Sequence, residues 1–565
     1  MPVVTFFMLS NFKIELQSHL ERFLKDVFPA LAKTLPAVEL EIPADSQHGE
    51  FATNIALKSS KTFKKSPMDL ADEFCALFQE LARNATFQGS IAKIEVKKPG
   101  FINFYLTPRL LCGILEQVFK EGDRYGQLSF GKEKKIQIEF VSANPTGPLS
   151  VAHARQAVVG DALANILNFL GFEVSREYYV NDGGNQINIL GNSIKCRAIE
   201  LLGGTVDFPE DGYQGSYIRD MAGIFLEQEN VKDLKALESI SDNKLIQFGV
   251  KYLLNGIQKD LDDFGVHFQI WSYESKIATK ASIETVLDYL GEKGFLYEKD
   301  GALWFKSTDF GDDKDRVVEK SDGTYTYLTP DIVYHKNKYE RKFEQVINIW
   351  GPDHHGYIPR LKAAVEALGQ DREALEVLIV QLATIYRDGK PVSMSTRRGE
   401  FISLREVIDE VGVDAARFFF LMRHIKIHLD FDLELAKKET PENPVYYIQY
   451  AHARVYSINV KASTEKIELK RSDFRLLKEE ELELVKKLGS FSDILVICYN
   501  ELDPYALVSY LQDLATGFHK FYDRCRIIDP QNTELSSERL ALTNATRIVL
   551  ANGLRLLGIS TPEKM

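Results

Sequence analysis

The stretch IQIEFVSANPTGPLSVAHARQAVVGDALANIL, residues 136 to 167, decides the fold. It opens with a run apolar enough for a buried strand, passes through the turn Asn144-Pro145-Thr146-Gly147, and has helical spacing from Val151 onward. This pattern predicts a parallel strand that delivers its carboxyl end to a helix start. Nucleotides bind at such places in α/β proteins, because backbone N–H groups and the helix dipole both favour phosphate.

A single histidine, His153, stands in the first turn of this predicted helix. Its ring is placed to donate a hydrogen bond to a phosphoryl oxygen. Taken alone, one His in one strand–turn–helix is more often an ordinary polar residue than a ligand-binding one. The rest of the chain must therefore decide between the two interpretations.

Alternation of strands and helices continues from residue 135 to residue 435. Strand patterns occur in EVSREYYV (173–180), QVINIWG (345–351) and EVLIVQLA (376–383), and IPRLKAAVEAL (358–368) has the spacing of an amphipathic helix. This alternation predicts an α/β fold with a parallel sheet and crossover helices. Between residues 191 and about 300 the pattern is mainly helical, so we expect an insertion between two halves of the sheet.

Two further domains flank this region. Residues 11–28 have helical spacing and residues 91–106 alternate around a Pro-Gly turn, which predicts an α+β domain over residues 1–115. A plain packing module explains that pattern as well. After residue 432 the apolar spacing is almost wholly helical, so we expect an all-α bundle over residues 436–565, with the α/β domain over residues 116–435.

Composition is that of an ordinary soluble protein, with 565 residues, 45% of them hydrophobic and 27% charged. The formal charge of −12 argues against general attraction to nucleic acid. The charge is uneven, however, because the segment from residue 437 onward has 18 basic and 18 acidic residues and is neutral. That segment can still present a local basic face to RNA.

No targeting or cross-linking signal is apparent. The opening MPVVTFFMLSNF has no basic leader, Met8 is an alternative start, and no run approaches the roughly 18 to 20 apolar residues of a membrane helix. We therefore expect a cytoplasmic protein without a membrane contact. The 5 cysteines are far apart with no C-x-x-C pair, which predicts packed, reduced thiols and no metal site.

Several long segments resemble the arginyl-tRNA synthetases, a family of class I aminoacyl-tRNA synthetases. They are EFVSANPTGPLSVAHARQAVVGDALANIL (139–167), REYYVNDGGNQI (176–187), DGALWFKSTDFGDDKDRVVEKSDGTYTYLTPDIVYH (300–335), INIWGPDHHGYIPRLKAAVEALG (347–369), VSMSTRRGEFISLREVIDEVGVDAARFFFLMR (392–423), NPVYYIQYAHARV (443–455) and the ending LRLLGISTPEKM. They occur in the family's order, and the likeness covers roughly nine-tenths of the chain.

The resemblance implies a Rossmann-type catalytic domain between an N-terminal domain that touches the outer corner of tRNA and a helical anticodon-binding domain. It implies ligation of L-arginine to tRNA(Arg) through an arginyl-adenylate, with ATP as substrate, Mg²⁺ accompanying ATP, and a mainly monomeric enzyme. Positioning and charge stabilisation at phosphorus must supply most of the rate.

Both signatures that bind ATP phosphates in this family are altered here. The HIGH signature corresponds to Ser150, Val151, Ala152 and His153, so His153 is the expected catalytic donor, Ser150 a weaker one, and Ala152 part of the ATP site. The KMSKS signature corresponds to residues 393–397. It lacks both lysines, and it implies roles for Met394 and Ser395 in ATP binding and for Ser395 and Arg397 in catalysis, with Lys390 and Arg398 as further nearby cations.

The resemblance also assigns the small-molecule sites. Asp331 is the expected carboxylate for the substrate guanidinium, with Tyr327 beside it, because a planar fork of donors requires such acceptors. The backbone groups of arginine are expected to meet Glu139, Ser142 and Asn144. Beside the adenosine, the resemblance places Gly351, Asp353, His354 and Gly356.

One helix of the C-terminal bundle is crowded with groups that can stack on unpaired bases. The expected anticodon-binding residues are Tyr446, Tyr447, Gln449, Tyr450 and Arg454. Core packing and a solvated edge explain such residues in the absence of the family resemblance.

Two rival functions remain open. The altered signatures suit a tRNA-binding paralogue that has lost or reduced catalysis, although such a protein has no need of a complete amino-acid pocket. Another nucleotidyl-transfer enzyme on the same scaffold is the second rival, and the helical C-terminal bundle argues against it.

Overall fold

A computed structural model describes residues 8–43, 45–84, 86–392 and 401–565. In the N-terminal domain, a three-stranded antiparallel sheet in the order β1-β3-β2 packs against helices. Its elements are α1 Met8–Val27, β1 Phe51–Thr53, α2 Ile55–Phe63, α3 Pro67–Leu81, β2 Ile91–Lys97, β3 Phe101–Leu106 and α4 Pro108–Glu121. The predicted α+β character of this segment is confirmed.

The central domain is built on a five-stranded sheet in the order β11-β10-β4-β5-β6, with every pair parallel. Its first half consists of β4 Lys135–Glu139, α5 Val151–Phe169, β5 Glu173–Val180, α6 Gly184–Leu201, α7 Ser216–Gln228, α8 Leu234–Glu238, α9 Asp242–Asp263 and β6 Ile270–Tyr273. The predicted parallel sheet is confirmed. The expected helical insertion is shorter than predicted, because the chain returns to the sheet at β6 within the range 191–300.

The second half of the domain begins with α10 Glu274–Ile277, α11 Lys280–Glu292 and a small antiparallel sheet of β7 Leu296–Lys299, β8 Ala302–Phe305 and β9 Arg316–Glu319. It continues with α12 Leu328–Glu340, β10 Gln345–Trp350, α13 Ile358–Ala367, β11 Leu375–Ile379, β12 Ala383–Arg387, β13 Lys390–Pro391, α14 Leu404–Val411, α15 Val413–Leu421, β14 Leu429–Asp432 and α16 Leu433–Ala436. The small sheet shares an apolar core with α12 and α13.

The C-terminal domain is helical throughout its described elements, as predicted. These are α17 Pro444–Thr464, α18 Glu479–Gly489, α19 Phe491–Glu501, α20 Tyr505–Arg524 and α21 Thr533–Leu556. The 5 cysteines are all buried and unpaired, which confirms the prediction of packed thiols. Within the described residues, every helix is too short or too polar to cross a membrane.

Helix α5 positions the candidate site because it is buried on nearly all sides. Gly160 faces the ring of Phe140 so closely that an added Cβ would stand 2.3 Å from the ring carbon Cγ. This contact seats the helix against the segment that leaves β4. The carboxyl end of β4 and the start of α5 are therefore held in one rigid unit.

Candidate functional site

The candidate site lies at the carboxyl end of the parallel sheet, where β4 has β5 on one side and β10 on the other. The chain runs from β4 to β5 and β6 in one direction and adds β10 and β11 in the opposite direction. The crevice between β4 and β10 is consequently a switch point of the topology, which is where open α/β sheets bind ligands.

The loop after β4 bends sharply before it reaches α5. Val141 and Ser142 have φ angles of 68° and 38°, in the left-handed region that residues other than glycine rarely adopt. The bend turns the Ser142 hydroxyl back to donate to Glu139 Oε1 at 3.0 Å, and the Ser142 Oγ in turn accepts from the backbone N–H of Tyr179 at 3.1 Å. Glu139 and Ser142, both expected at the amino-acid site, are therefore brought together.

His153 stands at the third position of α5, in the expected first turn. Its Nδ1 accepts the backbone N–H of Ser150 at 3.1 Å, so the ring proton is carried by Nε2. Burial lowers the pKa of His153 to about 4, although the Asp353 carboxylate opposes the shift. The ring is therefore neutral at physiological pH and presents one N–H donor. Ser150 is buried, and its hydroxyl lies 3.2 Å from the same Nδ1.

The residues expected beside adenosine follow β10. Residues 352–357 form a 3-10 helix, which holds Asp353, His354 and Gly356 beyond the end of β10. Asp353, His354 and Gly356 are exposed, and an added Cβ at Gly356 would meet no atom within 4 Å.

Two further residues expected at the ATP site are Gly351 and Ala152. An added Cβ at Gly351 would stand 2.7 Å from Asp353 Oδ1, so glycine is needed for that carboxylate to lie where it does. Ala152 is half-buried in the first turn of α5.

In the described ranges, no cluster of three or more His, Cys, Asp or Glu residues is arranged to hold a metal ion.

Asp331 lies in the first turn of α12 and accepts a hydrogen bond from the Tyr357 hydroxyl at 2.6 Å. Burial raises the pKa of Asp331 to about 7, and the Glu139 and Glu274 carboxylates add to the shift. The structure thus gathers the carboxyl groups of Asp331, Glu139 and Glu274 in one pocket. Tyr357 ends the 3-10 helix that contains Asp353, so the segment after β10 reaches the Asp331 pocket.

The other two residues expected in this pocket are less enclosed. Tyr327 is 75% exposed, and the hydroxyl on Asp331 belongs to Tyr357 instead. Asn144 is exposed, and its Nδ2 donates to Gln186 Oε1 at 2.7 Å.

Sequence reasoning missed Glu274 and Tyr179. The Tyr179 hydroxyl donates to Glu274 Oε2 at 2.8 Å, and the Tyr179 ring stacks on Tyr334 with centroids 4.4 Å apart. Burial raises the pKa of Glu274, with a further contribution from Asp182. Glu274 comes directly after β6, a strand of four residues that is too short for its pattern to show in the sequence.

Residues 393–400 lie outside the described part of the chain. The structure therefore gives no position for Met394, Ser395, Arg397 or Arg398. Lys390, on the short strand β13, is exposed.

An aromatic and cationic face occurs on α17, where anticodon contacts were expected. Tyr446 stacks on Tyr450 with the planes 9° apart, and Arg454 lies over Tyr450 at 4.4 Å and over Tyr522 of α20 at 4.3 Å. Tyr522 is exposed. We call this set the α17 ladder: Tyr446, Tyr450, Arg454 and Tyr522.

The side chains of Gln449 and Tyr447 contact other parts of the protein. Gln449 is only 7% exposed, and its Nε2 donates to Asp414 Oδ2 at 2.7 Å and to the Ser560 carbonyl at 3.1 Å. Its amide is thus committed to joining α15, α17 and the C-terminal segment, and it is not presented to RNA as the sequence suggested. The Tyr447 ring packs on His519 of α20 at 4.3 Å.

Three family models match the chain in order. They are the arginyl tRNA synthetase N terminal domain over residues 14–106, the tRNA synthetases class I (R) catalytic domain over residues 114–432, and the DALR anticodon binding domain over residues 448–565. The catalytic-domain model alone covers more than half of the residues.

Curated relatives and a solved structure agree with these matches. The arginine–tRNA ligase of Syntrophotalea carbinolica is 46% identical over 94% of this chain and 96% of the relative. The arginine–tRNA ligase of Bacillus subtilis is 45% identical over 94% of this chain and 95% of its own length. The arginyl-tRNA synthetase structure from Thermus thermophilus, at 21% identity, superimposes with a TM-score of 0.72 and covers 98% of this chain and all of that chain, which shows the fold. On its full-length likeness and its three matched domains, the chain belongs to the arginyl-tRNA synthetase family of class I aminoacyl-tRNA synthetases.

Proposed function

We propose that this chain ligates L-arginine to tRNA(Arg) at the expense of ATP, with release of AMP and pyrophosphate. One observation carries the proposal. In the turn after β10, the charge of Asp353 acts on the His153 ring, and the Tyr357 hydroxyl donates a hydrogen bond to Asp331. A neutral donor suited to phosphate and a pocket rich in carboxylates therefore open into the same crevice.

Three carboxylates suit the charges of arginine. Asp331 and Glu274 receive the guanidinium, whose planar fork of N–H groups requires acceptors on more than one side. Glu139, with Ser142 and Asn144 at the end of β4, receives the α-amine and orients the α-carboxylate. Tyr327 closes the pocket from its exposed side. Lysine carries a compact ammonium instead of a fork, so the same acceptors discriminate against it.

In the first step, a carboxylate oxygen of arginine attacks the α-phosphorus of ATP, and pyrophosphate leaves. His153 Nε2–H donates to the phosphoryl oxygens as negative charge develops, and Ser150 holds Nδ1 so that this tautomer persists. The adenosine lies against Ala152, Gly351, Asp353, His354 and Gly356.

The remaining phosphate contacts belong to residues 393–397 and to the ion that accompanies ATP. Met394 and Ser395 are assigned to ATP binding, and Ser395 and Arg397 to catalysis in place of the missing lysines. Mg²⁺ bound to the triphosphate would neutralise part of its charge.

In the second step, a terminal ribose hydroxyl of tRNA attacks the carbonyl carbon of the adenylate, and AMP leaves. The α17 ladder stacks on unpaired anticodon bases, and Tyr447 and Gln449 support it from within. The N-terminal domain, over residues 1–115, contacts the outer corner of the tRNA, residues 116–435 perform the chemistry, and residues 436–565 bind the anticodon. The enzyme acts as a cytoplasmic monomer, away from membranes.

A charging assay tests this function. Purified protein, labelled arginine, ATP, Mg²⁺ and tRNA(Arg) should give labelled arginyl-tRNA, whereas labelled lysine or a tRNA for another amino acid should not. Charging of both amino acids alike would contradict the assignment of the carboxylate pocket.

A second candidate is a tRNA-binding paralogue with little or no catalysis. The altered HIGH positions at Ser150 and Ala152 and the missing lysines favour it. It predicts that folded protein binds tRNA(Arg) normally and yields no arginyl-tRNA at any ATP or Mg²⁺ concentration. Measuring tRNA binding and charging on the same preparation separates the two functions.

A further inference from the structure

A buried network of four side chains lies beneath the carboxylate pocket. Lys338 Nζ donates to Glu139 Oε2 at 2.5 Å and to Asn348 Oδ1 at 2.9 Å. Asn348 Nδ2 donates to His335 Nε2 at 2.9 Å, and His335 Nδ1 donates to the backbone carbonyl of Asp331 at 2.8 Å. The network therefore runs without interruption from Glu139 on β4 to Asp331 on α12.

Each hydrogen bond in this network has only one possible direction. A backbone carbonyl can only accept, so the proton of His335 is on Nδ1 and its Nε2 must accept from the amide nitrogen of Asn348. The Asn348 oxygen is then left to accept from the Lys338 ammonium. Burial and the charge of Lys338 hold the pKa of His335 well below its ordinary value, so the ring stays neutral and the arrangement does not reverse.

The central ammonium is a costly group to bury. Lys338 has a side-chain exposure of 0% and its partner Glu139 one of 7%. A buried ion pair is weak support for stability alone, because well-packed apolar side chains of the same volume usually serve as well. The Lys338 ammonium also lies 4.4 Å from the Tyr334 ring, which stacks on Tyr179 at the wall of the pocket.

We infer that Lys338 is a positioning residue for the amino-acid pocket. It holds the Glu139 carboxylate beside Ser142, and through Asn348 and His335 it ties that carboxylate to the helix turn that presents Asp331. The separation of the two carboxylates is thereby matched to the two cationic ends of one ligand, the α-amine and the guanidinium. The inference rests on the proposed function, because it concerns the same pocket.

The first test is Lys338→Met, which removes the ammonium and keeps a side chain of similar length. Misplacing a binding group costs on the order of tenfold to a hundredfold, so the KM for arginine should rise about tenfold or more. The KM for ATP should stay within about twofold, since the network does not reach the α5 start. An unchanged arginine KM in folded Lys338→Met protein would overturn the inference.

Lys470→Met is the matched control. Lys470 pairs at 3.0 Å with the fully buried Glu538, in the C-terminal domain. The same Lys-to-Met change there breaks an ion pair onto a buried carboxylate away from the pocket. It should lower the melting temperature and leave the arginine KM within about twofold of wild type. An equal rise in arginine KM in both variants would mean that lost stability, not positioning, is the cause.

Asn348→Leu covers the case in which Lys338→Met does not fold. It leaves the Lys338–Glu139 pair intact and cuts the link to His335, so a raised arginine KM supports the inference and an unchanged one overturns it. Wild-type protein is assayed beside every variant. Absence of wild-type charging refutes the proposed function, whereas wild-type charging with unaffected variants refutes only the role of Lys338.

Discussion

Arginine affinity should fall as the pH drops through about 7, and Asp331 is the reason. The groups that face its carboxyl are the Tyr357 hydroxyl, the Glu139 and Glu274 carboxylates and the Lys338 ammonium. Burial outweighs the Tyr357 hydrogen bond and, in the absence of arginine, holds the pKa of Asp331 at about 7. A guanidinium is bound by the carboxylate and not by the neutral acid, so binding must expel this proton.

The size of the effect follows from that pKa. With a pKa of about 7, about half of the Asp331 carboxyls are ionised at pH 7 and about one in eleven at pH 6. The dissociation constant of arginine should therefore rise about fivefold from pH 7 to pH 6, and about tenfold for each further unit below that. Above pH 8 the affinity should be nearly constant. Because the pKa of this acid is raised, arginine affinity is retained above the pKa of Asp331 and lost below it.

Isothermal titration calorimetry of the protein with arginine, from pH 5.5 to pH 8.5, measures this directly. Repeating the titration in buffers of different ionisation enthalpy counts the protons released, and the number should approach one at low pH. Asp331→Asn is the control, since it should bind weakly with no such slope. Constant wild-type affinity between pH 6 and pH 8 would refute the reasoning, and a slope retained in Asp331→Asn would assign the titration to another group.

Three further predictions concern other parts of the molecule. His153→Ala should slow adenylate formation on the order of a hundredfold and leave the tRNA dissociation constant unchanged; equal loss of both would contradict its role as phosphate donor. Gly160→Ala forces a methyl against Phe140 and should lower the free energy of unfolding by about 1 to 3 kcal/mol, measured by denaturant titration, whereas Gly256→Ala, which meets no atom within 4 Å, should not destabilise. Arg454→Ala should weaken tRNA(Arg) binding about tenfold in a filter-binding assay, with unaltered arginine affinity; undiminished tRNA binding would remove the α17 ladder from the anticodon site.

Much of the fold could be predicted because its signals are local. The strand from residue 173 to 180 and the helix start at Val151 occur where the pattern places them, since each needs only the residues nearby. Strand β6 was missed because Ile270–Tyr273 is four residues long and offers too few positions for alternation to show. Its place in the sheet is set by pairing with β5, which is nearly a hundred residues earlier.

The residues of the candidate site likewise fall into those that a local segment indicates and those that only the tertiary fold brings together. His153 could be proposed from its strand–turn–helix, and the family resemblance of that same segment assigned Glu139 and Ser142 to the amino-acid site. Glu274 and Lys338 could not, because nothing in their own segments marks them as partners of Glu139. Only the order of strands in the sheet brings β6 and α12 to the same crevice.

In the altered HIGH signature, Ser150 has a structural role that the sequence does not indicate. In the sequence, Ser150 is a weaker substitute for an imidazole. In the structure, its backbone N–H donates to His153 Nδ1 and so fixes the one remaining ring proton on Nε2. Because burial keeps the pKa of His153 near 4, this donor does not change between pH 5.5 and pH 8.5. An acid limb near pH 7 in the arginine reaction is therefore expected from Asp331 and not from His153.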